Sequence, residues 1–418
     1  MSAAELGQDL GDVQNMDAPD ISAFDIMNLP ADFVPRAYAY FKTLRAASPI
    51  HRNADGSYIL TRYDDLVAIY RNPSVWSSDK RVDFQPKFGP SSLYEHHTTS
   101  LVFNDPPDHT RIRKLFQAAF TRKALAALTP RIHTLVDGYL DRLEDQRSME
   151  VVADFSFRLP VEVVCDMLGV PGSDRALIRD WALLILGALE PVLTEKQFKD
   201  GSDAVDAFKE YLRDRIQELR ADRDPGREGE ILSALVAAEE DGEKLTEIEL
   251  LHQCIFLLNA GHETSTNMLS HGVHEMLRHP DQIECLRDDP TLIESAVEEI
   301  LRYQAPIQIN NRRTTQDTEL SATPIPAGST VHLMIGAANH DPAQFPDPEI
   351  FDIARRPNRH LSFGLGIHIC AGNALARMEG EIAFGKLFSR FPTLRMEAPA
   401  RLSNRVRFRE ITELHVAV

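Results

Sequence analysis

Apolar residues recur at helical spacing along most of this chain and alternate at strand spacing in only a few short runs. Pro35 to Ala47 reads as a helix. Ile50 to Arg52 and Ser57 to Thr61 read as strands around the turn Asn53-Ala54-Asp55-Gly56. A helix from Tyr63 to Tyr70 stops at Asn72-Pro73. Ser77 to Asn104 is rich in Pro, Gly, His and Ser, so it reads as a long irregular stretch, which in a compact protein more often serves as a lid than as filler. Pro106-Pro107 ends it, with Asp105 or Asp108 placed to cap the next helix. Ala124 to Arg220 is helical, with breaks expected at Pro130, Pro160, Pro171-Gly172 and Pro191; Leu183 to Phe198 joins two of its helices, and Arg220 to Gly229 reads as a charged surface loop.

The longest unbroken helical pattern runs from Glu247 to His279, roughly 30 residues and so about 45 Å. Apolar around most of its circumference near Cys254 to Leu258, it belongs in a core. Pro280 ends it, and Thr291 to Tyr303 forms another helix. Ala305 to Thr314 turns into a strand, followed by Thr318 to Leu320, the turn Pro326-Ala327-Gly328, and an irregular stretch from Asn339 to Asp352. After Phe391-Pro392 the tail alternates as short strands. The pattern predicts a mainly α chain with small β-sheets, an α+β class.

Composition narrows the function. The chain has 418 residues, of which 43% are hydrophobic, enough for a large core and a deep ligand cavity. With 45 Lys+Arg against 63 Asp+Glu the net charge is −18, which argues against general nucleic-acid binding. Cys165, Cys254, Cys285 and Cys370 show no paired spacing and read as free thiols in a reducing cytoplasm. Met1 to Phe33 contains no apolar run long enough for a signal or membrane segment, so a cytoplasmic protein without membrane attachment is expected. No repeat, low-complexity tract or linker interrupts the chain.

Chemistry concentrates in two places. Phe363-Gly364-Leu365-Gly366-Ile367-His368-Ile369-Cys370-Ala371-Gly372 packs three glycines and a cysteine ahead of a helical run from Asn373. Glycines let the backbone turn tightly and let a flat partner approach, and a thiolate just before a helix N-terminus is a favoured soft ligand. Zinc wants about four Cys or His ligands, and only His368 lies near; the glycines are out of register for a dinucleotide loop; an inert buried cysteine is the plainer alternative. The second place is Ala260-Gly261-His262-Glu263-Thr264 in the middle of the long helix. Glycine there costs about 1 kcal/mol, and a Thr beside an acid can open the helix bonding and hold water as a proton path. A glycine placed only for helix packing is the alternative. On the helix after Pro107, His109 and Arg113 are i and i+4, a solvated pair or a clamp for two carboxylates. Glu299 and Arg302 are i and i+3, a surface pair on their own terms.

Phe363, Gly366, His368, Cys370 and Gly372 resemble the haem-binding signature of the cytochrome P450 monooxygenases. Ala260-Gly261-x-Glu263-Thr264 resembles that family's oxygen-activation motif, with Glu where Asp is commoner. His109-x-x-x-Arg113 and Glu299-x-x-Arg302 resemble its propionate clamp and its structural helix pair, the latter partnered from Asn358-Arg359-His360. The four motifs stand in the family's order over nearly the whole chain, from about residue 35.

The resemblance implies residues 1–34 as a loosely ordered N-terminal arm and 35–418 as a single cytochrome P450 domain, with haem b (iron protoporphyrin IX) between the long central helix and the cysteine-loop helix. Cys370 would be the metal ligand, with Phe363, Gly364, Gly366, Gly372 and Ala260 against the ring. His109, Arg113, Arg312 and His368 would neutralise the propionates, Arg313 being the alternative to Arg312. Thr264 and Glu263 would deliver protons, and Gly261 would open space for oxygen. Leu93, Leu101, Val102, Phe256, Asn259, Ile307, Ile309 and Asn310 would border a small, largely apolar substrate. The implied reaction is hydroxylation or O-/N-dealkylation by a monomer, using O2 and two electrons from a ferredoxin with its NAD(P)H-linked reductase, docked on Arg71, Arg111, Lys114, Arg359 and Arg377. A peroxide-dependent haem-thiolate enzyme and a non-catalytic haem-binding sensor are the alternatives.

Overall fold

The structure is a computed structural model that describes residues 17–189, 193–221 and 245–418, with the short strand Gln8–Asp9 and Leu232. Pro191 and most of the expected loop Arg220 to Gly229 lie outside the described residues, as does most of the first half of the arm. In chain order the elements are β1 (Gln8–Asp9), α1 (Ala37–Ala47), β2 (Ile50–Arg52), β3 (Tyr58–Leu60), α2 (Tyr63–Arg71), β4 (Trp76–Ser77), α3 (Arg81–Phe88), α4 (Ser92–Thr99) and α5 (Asp108–Ala119). Then come α6 (Arg122–Gln146), β5 (Ser148–Glu150), α7 (Arg158–Met167), α8 (Arg175–Gly187), α9 (Glu195–Ala221), α10 (Glu247–Arg278), α11 (Pro280–Asp288) and α12 (Ile293–Tyr303). The C-terminal part holds β6 (Ile309–Thr314), β7 (Thr318–Leu320), β8 (Thr323–Ile325), β9 (Thr330–Met334), α13 (Ile335–Ala338), α14 (Asn373–Arg390) and the tail strands β10 to β13 between Arg395 and Ala417. The expected class, mainly α with small sheets, is the observed one.

The chain falls into two compact units. The first comprises residues 1–77, 133–158 and 264–418, the second 78–132 and 159–263. The first holds all the described sheets. Its largest runs β2-β3-β9-β6-β4, with β3 parallel to β9 (Tyr58 beside Val331, Leu60 beside Leu333) and β6 antiparallel to β9. Val331 and Leu333 alternate inward with Tyr58, Leu60, Leu66, Ile69 and Trp76 in one apolar cluster that Leu361 joins from the chain leading to the cysteine loop. The second unit is helical among its described residues.

Four expectations are corrected. Residues 17–34 are not a loose arm: Phe24 and Phe33 are buried, and their rings meet those of Tyr40 and Phe41 at 5.4–5.9 Å. Ser77 to Asn104 is not irregular but contains α3, α4 and the 3-10 turn Leu101–Phe103; the Ser91 hydroxyl accepts from the Tyr94 amide and caps α4, a stabilisation hidden in a turn-like composition. Pro130 lies inside α6, where packing outweighs its breaking tendency, and Pro160 sits within the first turn of α7, where no helical N–H is needed. Asp108 is the first residue of α5 rather than its cap, and the Asp105 carboxylate accepts from the Ser78 amide. No helix among the described residues is long and apolar enough to cross a membrane.

Candidate functional site

The cysteine loop owes its path to its glycines. Gly364 and Gly366 have φ of +66° and +73°, the left-handed region. At Gly366 a Cβ would lie 2.3 Å from the Tyr70 carbonyl oxygen, so α2 and the loop touch backbone to backbone. The loop closes on itself: the Cys370 amide donates to the Phe363 carbonyl at 2.9 Å, and the Ile369 amide to Gly366 at 3.2 Å. Gly372 is the N-cap of α14, so Cys370 stands three residues before an 18-residue helix whose positive end favours a thiolate.

Cys370 is accessible, and the two buried cysteines contrast with it. Burial pushes the Cys165 and Cys254 thiols up to about 12, which keeps them neutral and inert, while Cys285 is exposed on α11. No group of three or more His, Cys, Asp or Glu among the described residues is arranged to hold a metal ion, which leaves the zinc alternative without a site. The donor set therefore suits a metal whose remaining ligands come with it. A glycine-lined loop offering one thiolate at a helix N-terminus fits haem.

Sequence reading missed the side chains that brace this loop. Asn373 donates from Nδ2 to the Cys370 carbonyl at 2.6 Å, and Arg377 donates to Asn373 Oδ1 at 2.9 Å while its guanidinium lies 4.5 Å from the Phe363 ring. Arg377 also pairs with Glu298, and His360 meets the same carboxylate at 3.2 Å. Burial alone would raise the Glu298 carboxyl; the bonds from His360 and Arg377 outweigh it and hold the group at about 2. The signal was present, since Arg377 lies one helical turn beyond Asn373, but only the fold brings Glu298 to it.

On α10 every residue from 250 to 276 is buried except Phe256, Ala260, Gly261 and Thr264. Phe256, Ala260 and Thr264 are spaced i, i+4, i+8, so one accessible stripe runs along an otherwise enclosed helix. The helix continues through this stretch. Gly261 has a packing cause: a Cβ would meet Val164 Cγ2 of α7 at 2.8 Å. Glu263 is buried. Asn259 is buried too, and its Oδ1 has no hydrogen-bond partner. Burial lowers the His262 imidazole to about 4, so it is neutral at pH 7.

The second half of α10 packs on α14. A Cβ at Gly272 would come within 2.2 Å of the Phe384 ring, and one at Gly380 within 3.3 Å of Met268. Between them Glu379 is fully buried, bonded to Ser265; burial raises its carboxyl to about 8, well above the usual range.

The structure places the remaining candidates as follows. Cys370, His368, Phe363, Thr264, Arg312, Ile307, Ile309 and Asn310 belong to the first unit; His109, Arg113, Gly261, Glu263, Ala260, Leu93, Leu101, Val102, Phe256 and Asn259 to the second. Arg312 is buried, donates to the Asn311 carbonyl at 2.7 Å and lies 5.5 Å from the Tyr70 ring, which brings it to the residue that contacts Gly366. His109 is buried and Arg113 partly exposed on one face of α5. Arg313 points elsewhere, its guanidinium lying 3.2 Å from where a Gly328 Cβ would stand. Leu93 and Leu101 are fully buried, Val102 partly so. Among the expected docking cations, Arg377 is engaged as described and Arg111 forms an ion pair with Glu249.

Glu299 and Arg302 are not a surface pair. Both side chains are wholly buried, joined by two 2.7 Å bonds, and Arg302 also donates to the carbonyls of Asn339, Pro348 and Ile350. Asn358 donates to Glu299 at 3.0 Å, as expected of that loop, and Arg355 was not foreseen as a further partner.

Comparison with known proteins agrees with this geometry. The family model described as Cytochrome P450 matches residues 74–403. Cytochrome P450 CYP107DY1 of Priestia megaterium is 40% identical over 81% of this chain and 84% of its own length. The 6-deoxyerythronolide B hydroxylase of Saccharopolyspora erythraea is 35% identical over 86% of this chain and 89% of its own. Among solved structures, P450BioI in complex with acyl carrier protein ligated to hexadec-9Z-enoic acid superposes with a TM-score of 0.86 at 33% identity, covering 93% of this chain and all of that one. With the motifs, the braced cysteine loop and the whole-length match all in agreement, the chain belongs to the cytochrome P450 family and is a haem b oxidoreductase of the monooxygenase type.

Proposed function

We propose that residues 35–418 act as one domain that hydroxylates or dealkylates a small, largely apolar molecule. The carrying observation is the accessible stripe Phe256–Ala260–Thr264, which puts the Thr264 hydroxyl, next in sequence to the buried Glu263, on the accessible line of a buried helix. Haem b, when bound, supplies activation of O2, with a thiolate ligand that favours O–O cleavage. The chain's part is to hold, orient and supply protons. Cys370 would ligate the iron, and the Phe363 and Asn373 bonds hold its backbone in place. Gly364, Gly366 and Gly372 would allow close approach to the ring, and His109, Arg113, Arg312 and His368 would neutralise its carboxylates. Thr264 holds water and passes protons from Glu263, and Ala260 leaves room beside it.

Leu93, Leu101, Val102, Phe256, Ile307 and Ile309 would border the substrate with apolar surface, and Asn310 would offer it a polar group. The unsatisfied Asn259 Oδ1 favours a substrate with a hydrogen-bond donor. One relative is a hydroxylase of 6-deoxyerythronolide B and one solved neighbour holds hexadec-9Z-enoic acid, a range consistent with a polar group on an apolar body. Two electrons come from a ferredoxin and its NAD(P)H-linked reductase in the cytoplasm, where the four free cysteines are at home. Arg71 and Arg359, both exposed in the first unit, are the docking cations for the ferredoxin.

The acid–alcohol pair favours this reading over a peroxide-dependent enzyme or a sensor. The test is a compound titration of the purified protein followed in the visible, then NAD(P)H consumption with ferredoxin and reductase. A thiolate-type ferrous–CO band, a spin shift with one compound class, and substrate-dependent turnover are expected. Turnover with peroxide alone, or spectral shifts with no turnover, would overturn it.

A further inference from the structure

We infer that His252 and Gln253 of α10 position the segment Ser92–Phe103 as a wall of the substrate pocket and release it in acid. This rests on the reading above that Leu101 and Val102 border the substrate. All the residues concerned belong to the second unit.

Gln253 is wholly buried and uses both ends of its amide. Its Oε1 accepts from the Leu101 amide at 3.0 Å, and its Nε2 donates to the Thr99 carbonyl at 2.6 Å. One side chain thus completes the backbone bonding where α4 gives way to the Leu101–Phe103 turn. His252, beside it, faces α4. Its Nε2 lies 3.2 Å from Glu95 Oε2, and its Nδ1 lies 3.3 Å from Nδ1 of His96.

The Glu95 carboxylate, held ionised against its burial by Lys209 and His252, lies on the Nε2 side of His252 and favours a proton there. A neutral His252 then offers the Nδ1 lone pair to His96. A second proton on His252 sets N–H against N–H at that contact unless His96 moves its own proton to Nε2, so protonation forces the buried pair to rearrange.

The surroundings oppose the second proton. His252 and His96 are buried, with Lys209 and Arg213 of α9 and His97 of α4 nearby; Glu95 is the nearest anion, and it shares its charge with Lys209, which Asp206 also binds. From α3, Phe84 and Phe88 stack on His97 at 5.7 and 5.2 Å and offer no charge. Burial, ahead of these charges, lowers His252 to about 4 and moves His96 the same way. A base depressed in the closed state favours closure above its ordinary value near 6.5 and loses that advantage as pH falls toward 4. For His252 alone, the opening constant rises about tenfold between pH 7.5 and pH 5.5.

Amide hydrogen exchange on the haem-loaded enzyme, corrected for intrinsic rates, reads this directly. Exchange across residues 92–103 is expected to rise about tenfold from pH 7.5 to pH 5.5. His252→Phe is expected to open the segment at pH 7.5 and shrink the pH step to what His96 supplies, whereas Gln253→Leu opens it at both values and keeps the full step. Wild-type protection that does not change with pH would overturn the latch without reference to any variant. The binding rate of 4-phenylimidazole, followed at the Soret band, should climb in parallel. Exchange that responds while that rate does not would keep the latch and overturn the placing of Leu101 and Val102 on the pocket wall.

Discussion

The Tyr70 carbonyl oxygen and the α-carbon of Gly366 meet so closely that any side chain at 366 would overlap α2 at 2.3 Å. The same tyrosine carries Arg312 on its ring, so a backbone contact and a cation–π contact of one residue join the cysteine loop to the sheet.

Gly366→Ala is expected to destabilise the protein by on the order of 2 kcal/mol or more, because it combines a left-handed φ with a backbone clash. Haem content per chain should fall with it. Thermal melting and the haem-to-protein absorbance ratio measure both; a fully haem-loaded variant with an unchanged melting temperature would contradict the assigned contact.

Arg302→Leu should cost about 3–5 kcal/mol, since it strands the buried Glu299 carboxylate and unties three carbonyls. Arg302→Lys should recover little, because an ammonium has no planar fork for two carboxylate oxygens. Urea unfolding of the two variants checks the order. A lysine variant as stable as wild type would refute the bidentate account.

Glu298 and Glu379 should give acid and alkaline responses of opposite sign. The Glu298 carboxyl sits at about 2 against an ordinary 4.5, so its contribution of about 3 kcal/mol is present above pH 4.5 and lost as pH falls toward 2. Glu379 sits at about 8, so the folded state holds a proton the unfolded chain has released, and stability falls as pH rises from 4.5 to 8. Glu298→Gln should flatten the acid limb and Glu379→Gln the neutral one in urea midpoints measured across pH. Unaltered slopes would place these charges elsewhere.

Thr264→Ala should leave haem binding and the ferrous–CO spectrum intact while lowering product formed per NAD(P)H consumed, by roughly tenfold or more if proton delivery runs through it. Product and cofactor consumption measured together separate this from simple loss of binding. An unchanged ratio would remove Thr264 from the proton path.

Much of the molecule was legible in advance wherever the signal was local. The glycines around Cys370 and the long apolar run of α10 declare themselves within a dozen residues, because each depends on its own backbone and neighbours. What stayed hidden depends on partners far along the chain. Ser77 to Asn104 looked irregular since its helices are short and capped by Ser91 rather than periodic. Gly261 gave no local sign that Val164 packs against it. Glu299 and Arg302 alone would read as a surface pair, since nothing local reports that residues 339–358 will cover them; only the family resemblance pointed to their structural role.

That covering segment carries a consequence of its own. From Asn339 to Asn358 the chain has almost no helix or strand, and it takes its shape from carbonyls aimed at two guanidinium groups, those of Arg302 and Arg355. Such a stretch tolerates many sequences but few lengths. Nearly any side chain can be threaded through it, whereas one inserted or deleted residue would carry a carbonyl off its target. Its spacing, more than its composition, is what drift in this protein should preserve.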